Sequence, residues 1–291
     1  MSSERNVHSR AQVCWLPKRG NTPAEYEDAY TLVDGQSVDG VFRCAVADGA
    51  TEASYSRQWA RALVRAFGAG TLGAANFVDD VERLRATWQR AFERHSRRRP
   101  MPWYAEQKAS LGAFAALVGL DLRDDPATGK PGWSAVAVGD CNLFLMRGGE
   151  LSMAFPLTRA DQFGGGPFLI GSNRPAEEDP LPRRVQHASG ELAPGDTFHL
   201  MSDALAAWFL RGHERGERPW QRLEALPEGD ATPAAFAELV TELRDAAQLH
   251  NDDVTWLRVV VSDVTVPAAA ATDADGTASD SWPDADETTP F

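Results

Sequence analysis

The sequence predicts a layered α+β fold, because its strand-like and helix-like segments follow one another in blocks and not in strict alternation. Three strand-like segments around the Gly148-Gly149 turn are typical of an antiparallel meander. Two amphipathic helical segments follow each other directly in the first half of the chain. With 291 residues, of which 43% are hydrophobic and 24% charged, the chain can bury a sizeable core.

The first half of the chain predicts a strand, two helices and a second strand. Residues 41–47 are apolar and β-branched, and they end at the turn residues Asp48-Gly49. Residues 54–67 and 74–98 carry apolar side chains at helical spacing, which predicts two successive amphipathic helices. Residues 109–122 are mostly small and apolar, as expected of a central strand.

The second half of the chain predicts more strands and two further helices. Helices are expected over 204–210 and 234–249, the second with Thr232 as N-cap and Pro233 at its first position. Apolar and β-branched runs between turn signals predict strands over 133–138, 142–146, 150–155, 197–201 and 254–262.

The composition along the chain predicts three regions. Residues 1–12 are polar and are expected to form a flexible N-terminus. Residues 13–266 mix helices and strands without a linker, which favours one catalytic domain. Residues 267–291 hold six acids and no Lys or Arg, with too few large apolar groups to offset the entropy of ordering, and predict a disordered acidic tail.

Charge and cysteine content exclude some kinds of partner. Against 29 Lys and Arg there are 42 Asp and Glu, a net charge of -13, which argues against nucleic acid and against anionic lipid as partners. The longest apolar run, 111–120, is too short to span a bilayer, and no signal peptide is visible. Three cysteines cannot all pair within the chain, so we expect reduced thiols in a cytoplasmic protein.

Four aspartates lie where predicted strands begin or end, namely Asp48, Asp140, Asp203 and Asp252. Strand ends meet at one edge of a sheet, so these carboxylates are expected to lie close together. Clustered carboxylates repel each other unless a cation neutralises them, and oxygen ligands favour Mg²⁺ or Mn²⁺. For any one of the four, an ordinary turn or helix-capping role remains open.

Five short motifs carry a resemblance to a known family. In chain order they are Glu27-Asp28-Ala29, Val46-Ala47-Asp48-Gly49, Val138-Gly139-Asp140, Met201-Ser202-Asp203-Ala204 and Asn251-Asp252-Asp253-Val254-Thr255. The order of these motifs and the residues in them resemble those of the metal-dependent type 2C (PPM) serine/threonine protein phosphatases, over about residues 13 to 262. The resemblance implies a four-layer αββα sandwich, with two mostly antiparallel sheets between helices and a binuclear Mn²⁺ or Mg²⁺ centre at one end.

The resemblance also implies roles for single residues at that centre. Asp48 is expected to bridge both metal ions, and Gly49 to offer its backbone carbonyl to one of them. Asp203 and Asp252 are expected as further ligands, and with Asp48 they carry catalysis through a metal-activated water. Asp252 is favoured over its neighbour because the family's ligand lies three residues before the Thr or Ser of the last strand.

Three more acids are implied around the two ions. Glu27 and Asp28 match the pair that holds metal-bound waters, and Asp140 matches the residue that holds a weaker third ion together with Asp203.

The sequence departs from the family pattern in two places that concern phosphate chemistry. Residues 50–54 stand where the family usually has a Gly-Gly-His stretch, and they contain no His to protonate the leaving group. The family's phosphate-binding Arg is replaced by Pro23, which leaves Lys18 or Arg19 as candidates for that role.

The resemblance therefore implies a phosphomonoester hydrolase that removes phosphate from phosphoserine or phosphothreonine in proteins. Its partners would be a phosphoprotein substrate and a cognate serine/threonine kinase. The alternative is a catalytically inactive, phosphatase-like regulatory or binding module, which the two departures favour and the retained aspartates oppose.

Overall fold

Eleven strands lie in the described part of the chain. A computed structural model describes residues 7–32, 41–50, 55–98, 112–124, 130–175 and 177–263. In chain order the strands are β1 (Val7–Leu16), β2 (Ala29–Leu32), β3 (Phe42–Gly49), β4 (Phe114–Asp124), β5 (Pro131–Val138), β6 (Asn142–Arg147), β7 (Glu150–Phe155), β8 (Ile170–Gly171), β9 (Gln186–Glu191), β10 (Thr197–Met201) and β11 (Val254–Asp263).

The α-helices in the described part of the chain fall into two groups along the sequence. The first pair is α1 (Ser56–Gly68) and α2 (Phe77–Arg98). The later group is α3 (Asp203–Glu214), α4 (Pro219–Glu224) and α5 (Thr232–Asp245). No helix among the described residues is long and apolar enough to cross a membrane.

The strands form two antiparallel sheets. The first sheet has the order β1-β11-β10-β6-β7, and the second has the order β2-β3-β4-β5-β9 with β8 paired to β4. Strand β1 runs beside β11 over its whole length, from Val7 opposite Asp263 to Leu16 opposite Val254. In the second sheet the strands β2 to β5 are neighbours in sequence order, whereas in the first sheet the last strand of the chain, β11, lies between β1 and β10.

Three apolar clusters define four layers. Leu120 and Trp133 of the second sheet pack against Phe198 and Leu257 of the first, which forms the core between the sheets. Trp59 and Leu63 of α1 cover the outer face of the second sheet, together with residues of α2. Helices α3, α4 and α5 cover the outer face of the first sheet through Phe209, Trp220 and Phe236. The predicted αββα sandwich is confirmed.

The structure corrects two predicted boundaries. Strand β1 begins at Val7, so residues 7–12 belong to a sheet and not to a flexible N-terminus. The helix predicted over 234–249 ends at Asp245, because Ala247 adopts a φ of 52° and the backbone N–H groups of residues 248 and 249 both bond to the Leu243 carbonyl. The predicted acidic tail over 267–291 lies outside the described residues.

Candidate metal centre

The predicted acids come from both sheets and meet at one end of the sandwich. Asp48 is the last residue but one of β3, and Asp140 follows β5 in the turn to β6. Asp203 is the first residue of α3, directly after β10, and Asp252 lies two residues before β11. Asp28 directly precedes β2, the neighbour of β3. Carboxylates that are far apart in sequence thus share one region.

Two glycines allow the backbone segments to approach each other closely at this end. A Cβ at Gly49 would lie 2.8 Å from the Glu27 carbonyl oxygen and 3.0 Å from the backbone of Ser56, the first residue of α1. A Cβ at Gly139, which has a φ of 94°, would lie 2.6 Å from the Cβ of Ala116. Because Ala116 is the cross-strand partner of Asp48, this contact brings the turn of Asp140 next to β3.

Burial and mutual repulsion raise the pKa values of the clustered carboxylates. Burial raises the pKa of Asp48 well above its usual value, and the charges of Asp28, Asp203, Asp140 and Asp252 raise it further. Burial together with Asp140 and Asp252 raises the pKa of Asp203 to about 7. Burial and the charge of Asp252 raise the pKa of Asp140 to about 6. The cluster therefore carries negative charge that strongly favours an added proton or cation.

Asp28 lies at the end of a buried hydrogen-bond chain. Its Oδ2 accepts a hydrogen bond of 2.6 Å from the Thr255 hydroxyl, which in turn accepts one from the Tyr26 hydroxyl. Its Oδ1 is buried and has no hydrogen-bond partner among the residues that the structure describes. Burial and the charges of Asp253 and Asp203 raise the pKa of Asp28 to about 8, against the opposing hydrogen bonds from Thr255 and Ser202. One carboxylate oxygen is thus held in place while the other stays available.

The hydrogen bonds distinguish Asp252 from Asp253. Both carboxylate oxygens of Asp253 accept backbone N–H groups, from Lys18 and from Glu27, each at 2.7 Å. Asp253 is 4% exposed and fastens the loop after β1 to the Glu27-Asp28 segment. The Asp252 side chain only accepts the backbone N–H of Asp253, at 2.9 Å, and remains partly exposed. Of the two, Asp252 has the carboxylate that is available to a cation, in line with the choice made from the motif.

Three basic residues surround the cluster. Arg244 of α5 donates hydrogen bonds to the backbone carbonyls of Pro17 and Asp252, at 3.1 and 2.6 Å, and so positions the loop that carries Asp252. The Lys18 ammonium lies 3.6 Å from the Glu27 carboxylate, at the edge of the cluster. The Arg19 guanidinium is instead paired with Asp245 at 2.6 Å.

The donor set fits hard divalent cations. Every predicted ligand atom is an oxygen, which is the chemistry that Mg²⁺ and Mn²⁺ prefer. The unpartnered Oδ1 of Asp28 and the raised pKa values of Asp48 and Asp203 show that these carboxylates lack compensating charge among the described residues. The same residues contain no group of three or more His, Cys, Asp or Glu side chains already arranged around one metal position. The carboxylates of the cluster thus influence each other's pKa values without forming a finished coordination sphere.

Sequence reasoning identified the acids but missed the groups that hold them. Ser202 and Thr255 lie inside the motifs, and Ser202 Oγ accepts the backbone N–H of Thr255 at 2.9 Å. The motif spacing favours Asp252 over Asp253 as a ligand and gives no sign that Asp253 joins two loops. Tyr26 and Arg244 carry no motif signal, since a Tyr before Glu-Asp and an Arg near a helix end are commonplace.

Comparisons with solved structures support the fold. A bacterial serine phosphatase matches with a TM-score of 0.56 at 15% sequence identity, over 89% of this chain and 100% of the other. The Mycobacterium tuberculosis serine/threonine phosphatase PstP/Ppp matches with a TM-score of 0.55 at 14% identity, over 88% of this chain and 99% of the other. The catalytic domain of PstP in complex with two manganese ions matches with a TM-score of 0.54 at 15% identity, over 88% and 99%.

Comparisons of the sequence itself give no match. No protein-family model and no curated protein matches it. At 14 to 15% identity the structural matches show a shared fold, the one that the five motifs implied.

Proposed function

We propose that this chain is a divergent type 2C phosphatase that hydrolyses phosphomonoesters at a binuclear Mn²⁺ or Mg²⁺ centre. The observation that carries the proposal is the carboxylate cluster, in which Asp28 and Asp140 are buried, Asp48 and Asp203 are partly buried, and the charges of Asp28, Asp203, Asp140 and Asp252 all raise the pKa of Asp48. An unused site has no physical need to hold such repelling charges together. The fold shared with serine/threonine phosphatases, one of them solved with two manganese ions, supports the same conclusion.

Each acid has a distinct place in the proposed centre. Asp48, whose pKa is raised by the charges of four other acids, is the carboxylate that would bridge two ions, with the Gly49 carbonyl next to it in sequence. Asp203 and Asp252 would hold the second ion from the other side. When bound, such ions act as Lewis acids on a phosphoryl group and lower the pKa of water to near neutrality.

The remaining acids would orient water and a third ion. Asp28, held by Thr255, keeps its Oδ1 available as an acceptor for an ordered water, and Glu27 lies beside it. Asp140 would hold a weaker third ion together with Asp203, whose pKa it raises. Among the chain's own groups, Asp28 and Glu27 would orient the water.

The proposed substrate is phosphoserine or phosphothreonine in a protein partner, so the chain would act in signalling opposite a cognate kinase. Lys18 is the better candidate for a phosphate contact, because its ammonium lies at the edge of the cluster. Arg19 would first have to leave Asp245. A Lys contacts phosphate as a point charge, without the paired geometry of an Arg.

A metal-dependent assay tests the proposal. Purified full-length protein is expected to hydrolyse p-nitrophenyl phosphate and phosphopeptides in Mn²⁺ or Mg²⁺ and to lose this activity in EDTA. Asp48→Asn is expected to reduce kcat/KM by about 10³-fold or more, since it removes the bridging charge.

The matched control is Asp230→Asn, which changes an exposed aspartate far along the chain and is expected to leave activity unchanged. A folded, Mn²⁺-loaded protein without turnover on any phosphoester would refute the proposal. So would equal activity of Asp48→Asn and the wild type.

The second candidate function is an inactive, phosphatase-like regulatory module. It is favoured by the absence, among the described residues, of a ready-made metal-binding arrangement. The loss of the Gly-Gly-His stretch points the same way. Calorimetry separates the two candidates, because the inactive module would show no Mn²⁺ binding, whereas the enzyme is expected to bind about two ions.

A further inference from the structure

A cleft with a volume of about 460 Å³ lies between the second sheet and the turn that joins α1 to α2. Its sheet wall is formed by Arg43 of β3 and by Asp121 and Arg123 of β4, and its other wall by residues 70–83. Arg43 precedes Asp48 by five residues of the same strand, which is roughly 17 Å at the rise of a β-strand. The cleft is therefore separate from the carboxylate cluster.

The strand pattern explains why charged residues occur at this position. Ala45 and Ala47 of β3 pack beneath α1, and Arg43 lies on the same face of the strand because side chains alternate. Helix α1 ends at Gly68, so its packing no longer covers this part of the sheet. Asp121 is the cross-strand partner of Arg43, and Arg123 follows two residues later on the same face.

The turn after α1 nevertheless covers part of this charged group. The Arg43 side chain is 12% exposed and that of Asp121 is 7% exposed, with Nε and Oδ1 3.5 Å apart. The Arg43 guanidinium lies against Gly70, where a Cβ would meet its central carbon at 3.0 Å. Burying the charges of Arg43 and Asp121 costs desolvation free energy, so packing alone does not explain why charged residues occupy these positions.

The cleft has an excess of positive charge. Asp80 is paired with Arg83 and accepts the backbone N–H of Gly73 at 2.9 Å. Asp121 lies beside Arg43. Arg123 is exposed and forms no ion pair with a carboxylate in the described part of the chain. The described residues that line the cleft thus include three arginines and two aspartates, in a chain whose net charge is -13.

We propose that this cleft binds a small, polar phosphate ester of the sugar phosphate class. Arginine binds phosphate with paired hydrogen bonds, and the volume lies within the range of small-molecule sites. Thr71 and Asn76 also line the cleft; the Thr71 hydroxyl donates to the Ala66 carbonyl at 3.1 Å and keeps its acceptor capacity for a sugar hydroxyl group. Among the described residues that line the cleft there is no aromatic or large apolar side chain, so these residues offer a nucleotide base nothing on which to stack.

Calorimetry on the full chain in EDTA tests this assignment. Glucose 6-phosphate is expected to bind to a single saturable site, more tightly than inorganic phosphate, and glucose is expected not to bind. EDTA removes metal-dependent hydrolysis, so the result is independent of the proposed phosphatase activity.

Two arginine variants locate the site. Arg123→Gln is expected to weaken binding of glucose 6-phosphate by about tenfold or more, because a charged hydrogen-bond donor is lost from an exposed position that does not support the fold. Arg90→Gln, on the exposed side of α2, is the control and is expected to bind as the wild type does. Absence of binding to the folded wild type, equal binding by Arg123→Gln, or tighter binding of adenosine monophosphate would overturn the assignment.

Discussion

At the scale of single residues, neighbours in sequence have different surroundings. Each oxygen of the Asp253 carboxylate accepts a hydrogen bond from a backbone N–H group. The Asp252 carboxylate instead lies near the other acids and raises the pKa of Asp48. Asp28 combines both situations, with one oxygen bound to Thr255 and the other unpartnered. A motif identifies which acids meet, but only the hydrogen bonds show which oxygens remain available.

Replacing each of the two adjacent aspartates by Ala should separate these roles. Asp253→Ala removes two charge-assisted hydrogen bonds and leaves two loops unconnected, so we expect a loss of about 2 kcal/mol in the free energy of unfolding. Asp252→Ala removes a like charge from the cluster and should change the unfolding free energy by no more than about 0.5 kcal/mol.

Urea denaturation in EDTA and Mn²⁺ calorimetry measure the two effects. Only Asp252→Ala is expected to lose Mn²⁺ affinity while it keeps the stability of the wild type. If Asp252→Ala proved the less stable variant, the assignment of the two carboxylates would be reversed.

At the scale of elements, the meeting of β3, α1 and the Glu27-Asp28 segment depends on Gly49. A side chain there would collide with backbone atoms of Glu27 and Ser56, which cannot rotate away. Gly49→Ala is therefore expected to cost about 1 to 3 kcal/mol of stability and to lower metal-dependent activity by about 10²-fold through displaced ligands.

The matched control for this change is Gly165→Ala. Gly165 is exposed, and a Cβ there would have no neighbour within 4 Å, so stability and activity should remain those of the wild type. Denaturation midpoints and kcat/KM for p-nitrophenyl phosphate check both variants. Equal behaviour of the two alanine variants would show that the close approach at Gly49 is not required.

Elements with a clear apolar pattern were predictable, and polar edge strands were not. Strands β7 and β10 have the predicted bounds, because each is a strand-like run between turns. Strand β9 is almost wholly exposed at the edge of its sheet, and its sequence Gln-His-Ala-Ser-Gly-Glu shows no hydrophobic period. Strand β1 is also polar in part, and its pairing with β11 is a long-range contact that no local pattern encodes.

The candidate site, too, was predictable from the sequence only in part. The carboxylates were predictable from motifs at element ends, but their supports come from distant parts of the chain. Arg244 reaches the loops of residues 17 and 252, and Tyr26 reaches Thr255 across 229 positions of sequence. Such contacts depend on how the layers pack and leave no signal in one sequence.

At the scale of the whole molecule, the negative charge is concentrated. Six of the 42 acids belong to the proposed metal centre and six to residues 267–291, which leaves 30 against 29 Lys and Arg. The rest of the chain is therefore nearly balanced. Two divalent ions would cancel about four charges of the centre, so cation binding and folding stability should be strongly linked.

This linkage predicts an unusual pH dependence for the metal-free protein. The pKa values of Asp28, Asp203 and Asp140 are raised to about 8, 7 and 6, above those of an unfolded chain. The folded state thus binds more protons between about pH 4 and 8, and the stability that they confer is lost as pH rises. In EDTA, the urea midpoint should fall from pH 5 to pH 8, whereas with saturating Mn²⁺ it should stay level or rise, because the ions replace the protons. Asp48→Asn should flatten the decline in EDTA, and Asp230→Asn should not. A midpoint in EDTA that rises with pH would mean that these carboxylates are already compensated within the chain.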